Sequence, residues 1–197
     1  MVWKRFGKDM KGFTGLEAAI VLIAFVTVAA VFSYVLLGAG FFATQKGQET
    51  VHTGVKQATS SMELVGSVVA TGNTTQNKLT SVTFTLQLAA GGQPIDLNKT
   101  VITVLVPADG SYQEFKYSTT TADSSHYKVT WIYSLQGSNP DNYLEEFEKA
   151  EVKVDLSSFN INPNDDFVVE VKPPIGASYP IELKAPPSID SVMVLIR

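Results

Sequence analysis

Cysteine is absent from the 197-residue chain, which excludes disulfides, thiolate catalysis and cysteine-ligated metal sites. Basic residues are in short supply, because 15 lysines and arginines stand against 19 acidic residues, for a formal net charge of −4. Nucleic-acid binding requires a basic stripe, so we expect no nucleic-acid partner. The two histidines, His52 and His126, belong to no evident catalytic arrangement. With neither a phosphate-binding loop nor a nucleophile elbow in the sequence, we predict no catalytic residue and no cofactor.

Charge is missing from a long stretch near the N-terminus. Between Glu17 and Lys46 the only ionisable side chain is that of Tyr34. The apolar segment, from about Ala18 to Ala43, exceeds the ~20 residues that a helix needs to cross a bilayer. Its large residues surround the helix on every side, so the helix must be buried in lipid or among other helices. Alanine, serine and glycine residues between them let helices approach closely.

A short basic segment precedes the apolar one. Within residues 1–12 the charged side chains are mostly basic: Lys4, Arg5, Lys8 and Lys11, against Asp9 alone. A basic stretch followed by an apolar one is typical of export signals and orients the N-terminus toward the cytoplasm. The apolar segment is too long for the hydrophobic region of a conventional signal peptide. The order therefore predicts a basic leader followed by a spanning helix.

The junction Lys11-Gly12-Phe13-Thr14-Gly15-Leu16-Glu17, with the apolar run after it, resembles the N-terminus of archaellins, the archaeal flagellins of the type IV pilin-like superfamily. The resemblance implies that a prepilin-type (preflagellin) peptidase removes residues 1–12 by cutting between Gly12 and Phe13. It also implies an assembly role for Glu17. That carboxylate would pair with the new amine of Phe13, within or between chains, or it would merely complement the helix dipole in the first turn.

The core helix is expected to extend beyond the apolar run. Apolar residues continue at spacings of three and four as far as Val69, and Thr71–Thr75 supplies glycine and polar turn-formers. We therefore predict a filament-core helix over residues 13–70 and an outer domain over residues 71–197.

Alternation of apolar and polar residues predicts an outer domain made of strands. Seven or eight strands over about 120 residues suggest an immunoglobulin-like antiparallel β-sandwich, which the archaellin resemblance also implies. The fold class is then α+β, a long N-terminal hydrophobic helix followed by the sandwich. A short helix is considered at Leu144–Ala150. The expected strands include Val82–Leu88, Val101–Val106, Tyr127–Leu135, Val152–Leu156, Phe167–Val171 and Val192–Ile196.

Asn73 and Asn98 each begin an N-glycosylation sequon, which an exported domain could present for modification. The acidic pair Asp165-Asp166 and the acids at 145, 146, 148 and 151 lack the ordered spacing of a calcium loop. We interpret both groups as solvated surface and predict no metal site.

The resemblance implies a structural subunit of the archaeal flagellum, or archaellum, which polymerises through its N-terminal helix into an extracellular motility filament. The implied partners are copies of itself, sibling archaellins, the peptidase and a membrane-embedded assembly motor, with the precursor held in the cell membrane. One alternative is an adhesion-type archaeal type IV pilin, which shares the leader, glutamate and helix. A permanently membrane-anchored binding domain is the other, and it predicts an uncut N-terminus.

Overall fold

A computed structural model describes residues 3–137 and 140–195, with side chains from residue 15 onward. The chain divides into two compact units, residues 1–52 and 53–197. Helix α1 (Trp3–Thr59) makes up the first unit and continues into the second. Its 57 residues correspond to a length of about 85 Å at 1.5 Å per residue. The long N-terminal helix expected from the sequence is confirmed.

The predicted end of the helix near Ala70 is wrong. α1 ends at Thr59, and strand β1 (Met62–Asn73) follows after two serines. Apolar residues at helical spacing misled the prediction, because a short segment rich in valine can be a helix or a strand. Pairing of β1 with strands on both of its sides, and burial of Val68 and Ala70, decide in favour of the strand.

The second unit contains the β domain, in which nine strands form one sheet in the order β10-β9-β4-β5-β6-β8-β2-β1-β11. Neighbouring strands are antiparallel except β5 and β6, which are parallel over three residue pairs. β3 and β7 pair separately as two residues each. After β1 the strands are β2 (Lys78–Leu88), β3 (Ile95–Asp96), β4 (Val101–Val106), β5 (Ser111–Ser118), β6 (His126–Tyr133), β7 (Tyr143–Leu144), β8 (Lys149–Asp155), β9 (Asp166–Lys172), β10 (Tyr179–Lys184) and β11 (Val192–Leu195).

One hydrophobic core joins the two halves of this sheet. β2 and β8 contribute Phe84 and Val152, while β4 and β9 contribute Val104 and Val169, all fully buried. The β domain, predicted as an antiparallel immunoglobulin-like sandwich, is confirmed as a mostly antiparallel β-sheet domain. The short helix considered at Leu144–Ala150 is wrong, because β7 and β8 occupy its two ends. Ile196, expected at the end of the last strand, lies outside the described residues.

Tyr127 of β6 connects the two parts of the sheet that meet at the parallel pair β5 and β6. Its buried hydroxyl lies 2.6 Å from the carbonyl oxygen of Leu97 and 2.9 Å from that of Thr100, and it shares its proton between them. Its ring also meets that of Tyr117 edge to face, with 6.0 Å between centroids. Burial raises the pKa of the Tyr127 hydroxyl far above its ordinary value, so the group remains a donor at all physiological pH values.

Candidate assembly surface

Between Ile20 and Phe42 the surface of α1 is apolar on every side. The consecutive residues Ile20–Ile23 are each between 62% and 68% exposed, and successive residues point about 100° apart around a helix. These four side chains therefore cover the whole circumference. From Gly15 to Thr59 the helix is long and apolar enough to cross a membrane.

Such a surface is unstable in water. Exposing each large side chain costs about 1.5–3 kcal/mol relative to burial, and the sum over the helix reaches tens of kcal/mol as an upper bound. The helix therefore requires an apolar environment. The exposed large residues from Ile20 to Phe42 are Ile20, Val21, Leu22, Ile23, Phe25, Val26, Val28, Val31, Phe32, Tyr34, Val35, Leu36, Leu37, Phe41 and Phe42.

Two threonine hydroxyls in and next to the apolar stretch are satisfied by the helix itself. The Thr27 hydroxyl donates to the carbonyl oxygen of Ala24 at 2.9 Å, and the Thr44 hydroxyl donates to that of Gly40, also at 2.9 Å. A hydroxyl bonded in this way leaves no unsatisfied donor when its surroundings become apolar. These threonines are therefore compatible with a dry helix core.

The apolar surface of α1 ends near an ion pair between Lys46 and Glu49. Lys46 Nζ lies 2.6 Å from Glu49 Oε2, and both side chains are mostly exposed. An exposed pair of this kind contributes little to stability. It does mark the position along α1 where contact with water becomes favourable.

The residues predicted for processing and assembly lie on the first turns of α1. Gly12 and Phe13 have helical backbone, and their side-chain surroundings lie outside the described part of the chain. Glu17 follows Phe13 by about one helical turn and is exposed. Its carboxylate is therefore exposed on the helix surface, as are the apolar side chains that follow it.

The two candidate glycosylation sites differ in accessibility. Asn73 ends β1, where its Oδ1 accepts hydrogen bonds from the backbone N–H groups of Thr75 and Gln76, and Thr75 is exposed. Asn98 is exposed on a 3₁₀ turn, but the hydroxyl of Thr100 is buried and donates to the carbonyl oxygen of Asp96 at 2.9 Å. A glycosylating enzyme that must contact the sequon threonine can therefore do so in the folded domain at Thr75 of the Asn73 sequon, but not at Thr100 of the Asn98 sequon.

The acidic residues considered for a cation have structural partners. An Asp165 carboxylate oxygen accepts from the backbone N–H of Asn162 at 2.9 Å, and Asp166 lies 3.2 Å from Lys184 Nζ. In the described part of the chain, no group of three or more His, Asp or Glu residues is arranged to hold a metal ion.

Glu148 was expected on the solvated surface, and this is wrong, because its side chain is 1% exposed. One carboxylate oxygen accepts from the Ser134 hydroxyl at 3.0 Å and from the Leu135 backbone N–H at 2.9 Å. The other accepts from the Glu145 backbone N–H at 3.0 Å. The buried carboxylate thus fastens the loop after β6 to the turn before β8.

Phe147 is held in an unfavourable conformation beside this carboxylate. Its φ of 70° lies in the left-handed region, where a bulky residue is strained by about 1–3 kcal/mol. Its side chain is nevertheless 67% exposed. Nothing in the sequence indicated this residue, because a positive φ at a phenylalanine becomes visible only in three dimensions.

Comparisons with known proteins agree with this architecture. A model of the archaeal-type flagellin family matches residues 12–183. Probable flagellin 1 of Archaeoglobus fulgidus is 77% identical over 98% of both chains, and probable flagellin 2 of that organism is 40% identical over 96% of both.

Solved structures match as well. The archaeal flagellum of Methanospirillum hungatei matches with a TM-score of 0.74 and 32% identity, over 92% of this chain and 99% of that chain. A crystal structure of a flagellin from Methanocaldococcus jannaschii has the same fold, with a TM-score of 0.62 and 22% identity, over 69% of this chain and 96% of that one. The chain belongs to the archaeal-type flagellin family, and it is a structural subunit of the archaellum filament and not an enzyme.

Proposed function

We propose that the chain is inserted in the cell membrane as a precursor and that α1, once trimmed, packs among copies of itself and sibling helices as the filament core. The observation that supports this is the apolar surface on every side of α1. Lipid and a bundle of such helices are about equally apolar, so transfer from one to the other need not be strongly unfavourable. The β domains then form the exterior, and a separate membrane-embedded motor drives assembly and rotation.

Cleavage between Gly12 and Phe13 by a preflagellin peptidase is part of this proposal. The basic leader would hold the N-terminus at the cytoplasmic face during insertion. Four cations in that leader would be costly inside a dry core, so their removal favours assembly. Glycans on Asn73 and Asn98 would cover the filament exterior, and Thr75 leaves the Asn73 sequon the more accessible one in the folded domain.

The first test is the intact mass and N-terminal sequence of this protein from sheared cell-surface filaments. A chain that begins at Phe13 supports processing and assembly together, and added mass on peptides containing Asn73 or Asn98 supports glycosylation. A chain that still begins at Met1 and stays in the membrane fraction would instead indicate an anchored domain. A deletion strain that swims normally but no longer attaches to surfaces would indicate an adhesion pilin.

Replacing Glu17 by glutamine is expected to lower filament yield by about tenfold or more. A paired carboxylate in an apolar site contributes at least ~1.5 kcal/mol more than its neutral amide, which corresponds to such a factor. Filaments are quantified by electron microscopy and immunoblotting of sheared fractions. The matched control is Glu49→Gln, which removes a carboxylate from the exposed pair with Lys46. Equal yields for both variants would show that Glu17 needs no partner in the core.

A further inference from the structure

An apolar groove separates the two edges of the nine-stranded sheet. The edge strands β10 and β11 are not paired with each other, and the space beside them measures about 620 Å³. Concave sites of this size accommodate a drug-sized ligand, so one aromatic side chain fits easily. The groove is lined mainly by Phe167, Val168, Leu183, Pro186, Pro187 and Val194.

The same domain carries a protruding apolar tip. Tyr133 pairs with Lys149 at the end of the β6–β8 ladder, and continuing that antiparallel register places Leu135 opposite Phe147. The Leu135 and Phe147 side chains are 56% and 67% exposed. The Glu148 carboxylate accepts from the backbone N–H groups of Leu135 and Glu145 and so holds the two sides of this tip together, while most of the Phe147 side chain stays exposed.

Strand register puts the tip and the groove toward opposite ends of the sheet. Val194, the groove residue on β11, pairs with Val69 of β1, which pairs with Thr83 of β2, which in turn pairs with Lys153, close to the end of β8 at Asp155. The tip lies beyond the other end of β8, before Lys149. When a protrusion toward one end of a domain enters a recess toward the other end of the next copy, the contact is head-to-tail, and it generates an open polymer when it does not close on itself.

We infer that Phe147 of one subunit inserts into the groove between β10 and β11 of a neighbouring copy of this chain. A second copy is the occupant because the protein is a filament subunit and because the recess and the side chain that fits it belong to the same domain. Asp166, Glu182 and Lys184 border the groove, and the Asp166–Lys184 ion pair offsets part of their charge. Apolar contact therefore provides the attraction. The inference rests on the assembly proposed above and adds a contact between outer domains to it.

The absence of cysteine makes a direct test possible. Full-length chain carrying Phe147→Cys and Val194→Cys is expressed in the archaeal host, and its filaments are sheared, verified to begin at Phe13 and treated with a short bis-maleimide. The expected result is a ladder on denaturing gels, with most of the chain at trimer size or larger. The matched control pairs Phe147→Cys with Ile175→Cys, an exposed apolar residue outside the groove lining, and should remain monomeric.

Several outcomes would overturn the inference. The first is a monomer band from the filaments that carry both Phe147→Cys and Val194→Cys. The second is a dimer from Phe147→Cys alone, which would indicate a symmetric contact. The third is an adduct of any other mass, which would indicate a different partner. If the double variant makes no filaments, Phe147→Ala provides the second measurement. Its filaments should dissociate at a lower temperature than wild-type and Ile175→Ala filaments, and equal temperatures would overturn the inference. Wild-type filaments whose chain does not begin at Phe13 would contradict the proposed function instead.

Discussion

Gly176→Ala is expected to destabilise the β domain by more than about 3 kcal/mol, which is unusual for the addition of one methyl group. Gly176 has a φ of 108°, and a Cβ at this position would lie 1.9 Å from the carbonyl oxygen of Ser60. Ser60 is itself buried, just after the end of α1. Relief would require the backbone to move, which costs far more than a side-chain rotation. Urea unfolding of residues 53–197, which contain the whole β core, measures the effect.

Gly110 provides a matched control. Its φ of 70° is also in the left-handed region, but no atom lies within 4 Å of the position a Cβ would take. Gly110→Ala should therefore cost only the conformational penalty of about 1–2 kcal/mol. If the two variants unfold at similar urea concentrations, the close approach of Gly176 to Ser60 is not a significant constraint.

Val28→Asp is expected to abolish filaments while the precursor still reaches the membrane. Val28 lies in the middle of the apolar stretch of α1. In a packed core the aspartate would be an unpaired buried charge in every subunit, repeated along the polymer. During insertion, the remaining apolar residues contribute about −0.3 to −0.6 kcal/mol each and outweigh the aspartate's cost of about 2.5–3.5 kcal/mol. Electron microscopy and immunoblots of membrane and sheared fractions measure the two steps separately.

Val28→Thr is the corresponding control. A threonine hydroxyl at this position can donate to the carbonyl oxygen one turn earlier, as Thr27 and Thr44 do. Filaments should therefore form with this variant. Normal filaments from Val28→Asp would mean that α1 is not in a dry core. Absence of that variant from the membrane fraction would place its defect at insertion.

The features that the sequence predicted correctly depend on local patterns. An uncharged apolar run of this length can only be buried in lipid or among helices, whatever the rest of the chain does. Alternation in β2, β6 and β8 likewise indicates strands that bury one face. The end of α1 was missed because the fate of Met62–Asn73 depends on distant partners. One of them, β11, lies more than a hundred residues further along the chain.

Residues considered for assembly also differ in whether the sequence alone could identify them. Residues of α1 could be assigned from composition, because their role follows from being apolar on all sides. Phe147 and Glu148 could not, because in the sequence they belong to an ordinary acidic stretch. Its burial and the three hydrogen bonds to its carboxylate distinguish Glu148 from its solvated neighbours. The groove could not be predicted from the sequence for a similar reason, since it exists only where the two sheet edges approach each other.

The pairing of β1 with β11 constrains the order in which an exported chain can fold. Val68 pairs with Leu195, so the outer edge of β1 stays open until β11 has been exported. Contacts this far apart in sequence form slowly, and an unpaired edge strand is prone to associate with other chains. In the membrane-held precursor proposed above, α1 would remain in the lipid and would confine newly translocated domains to the membrane surface with that edge open. On that proposal, translocation of β11 would determine when the β domain closes its edge and becomes competent for assembly.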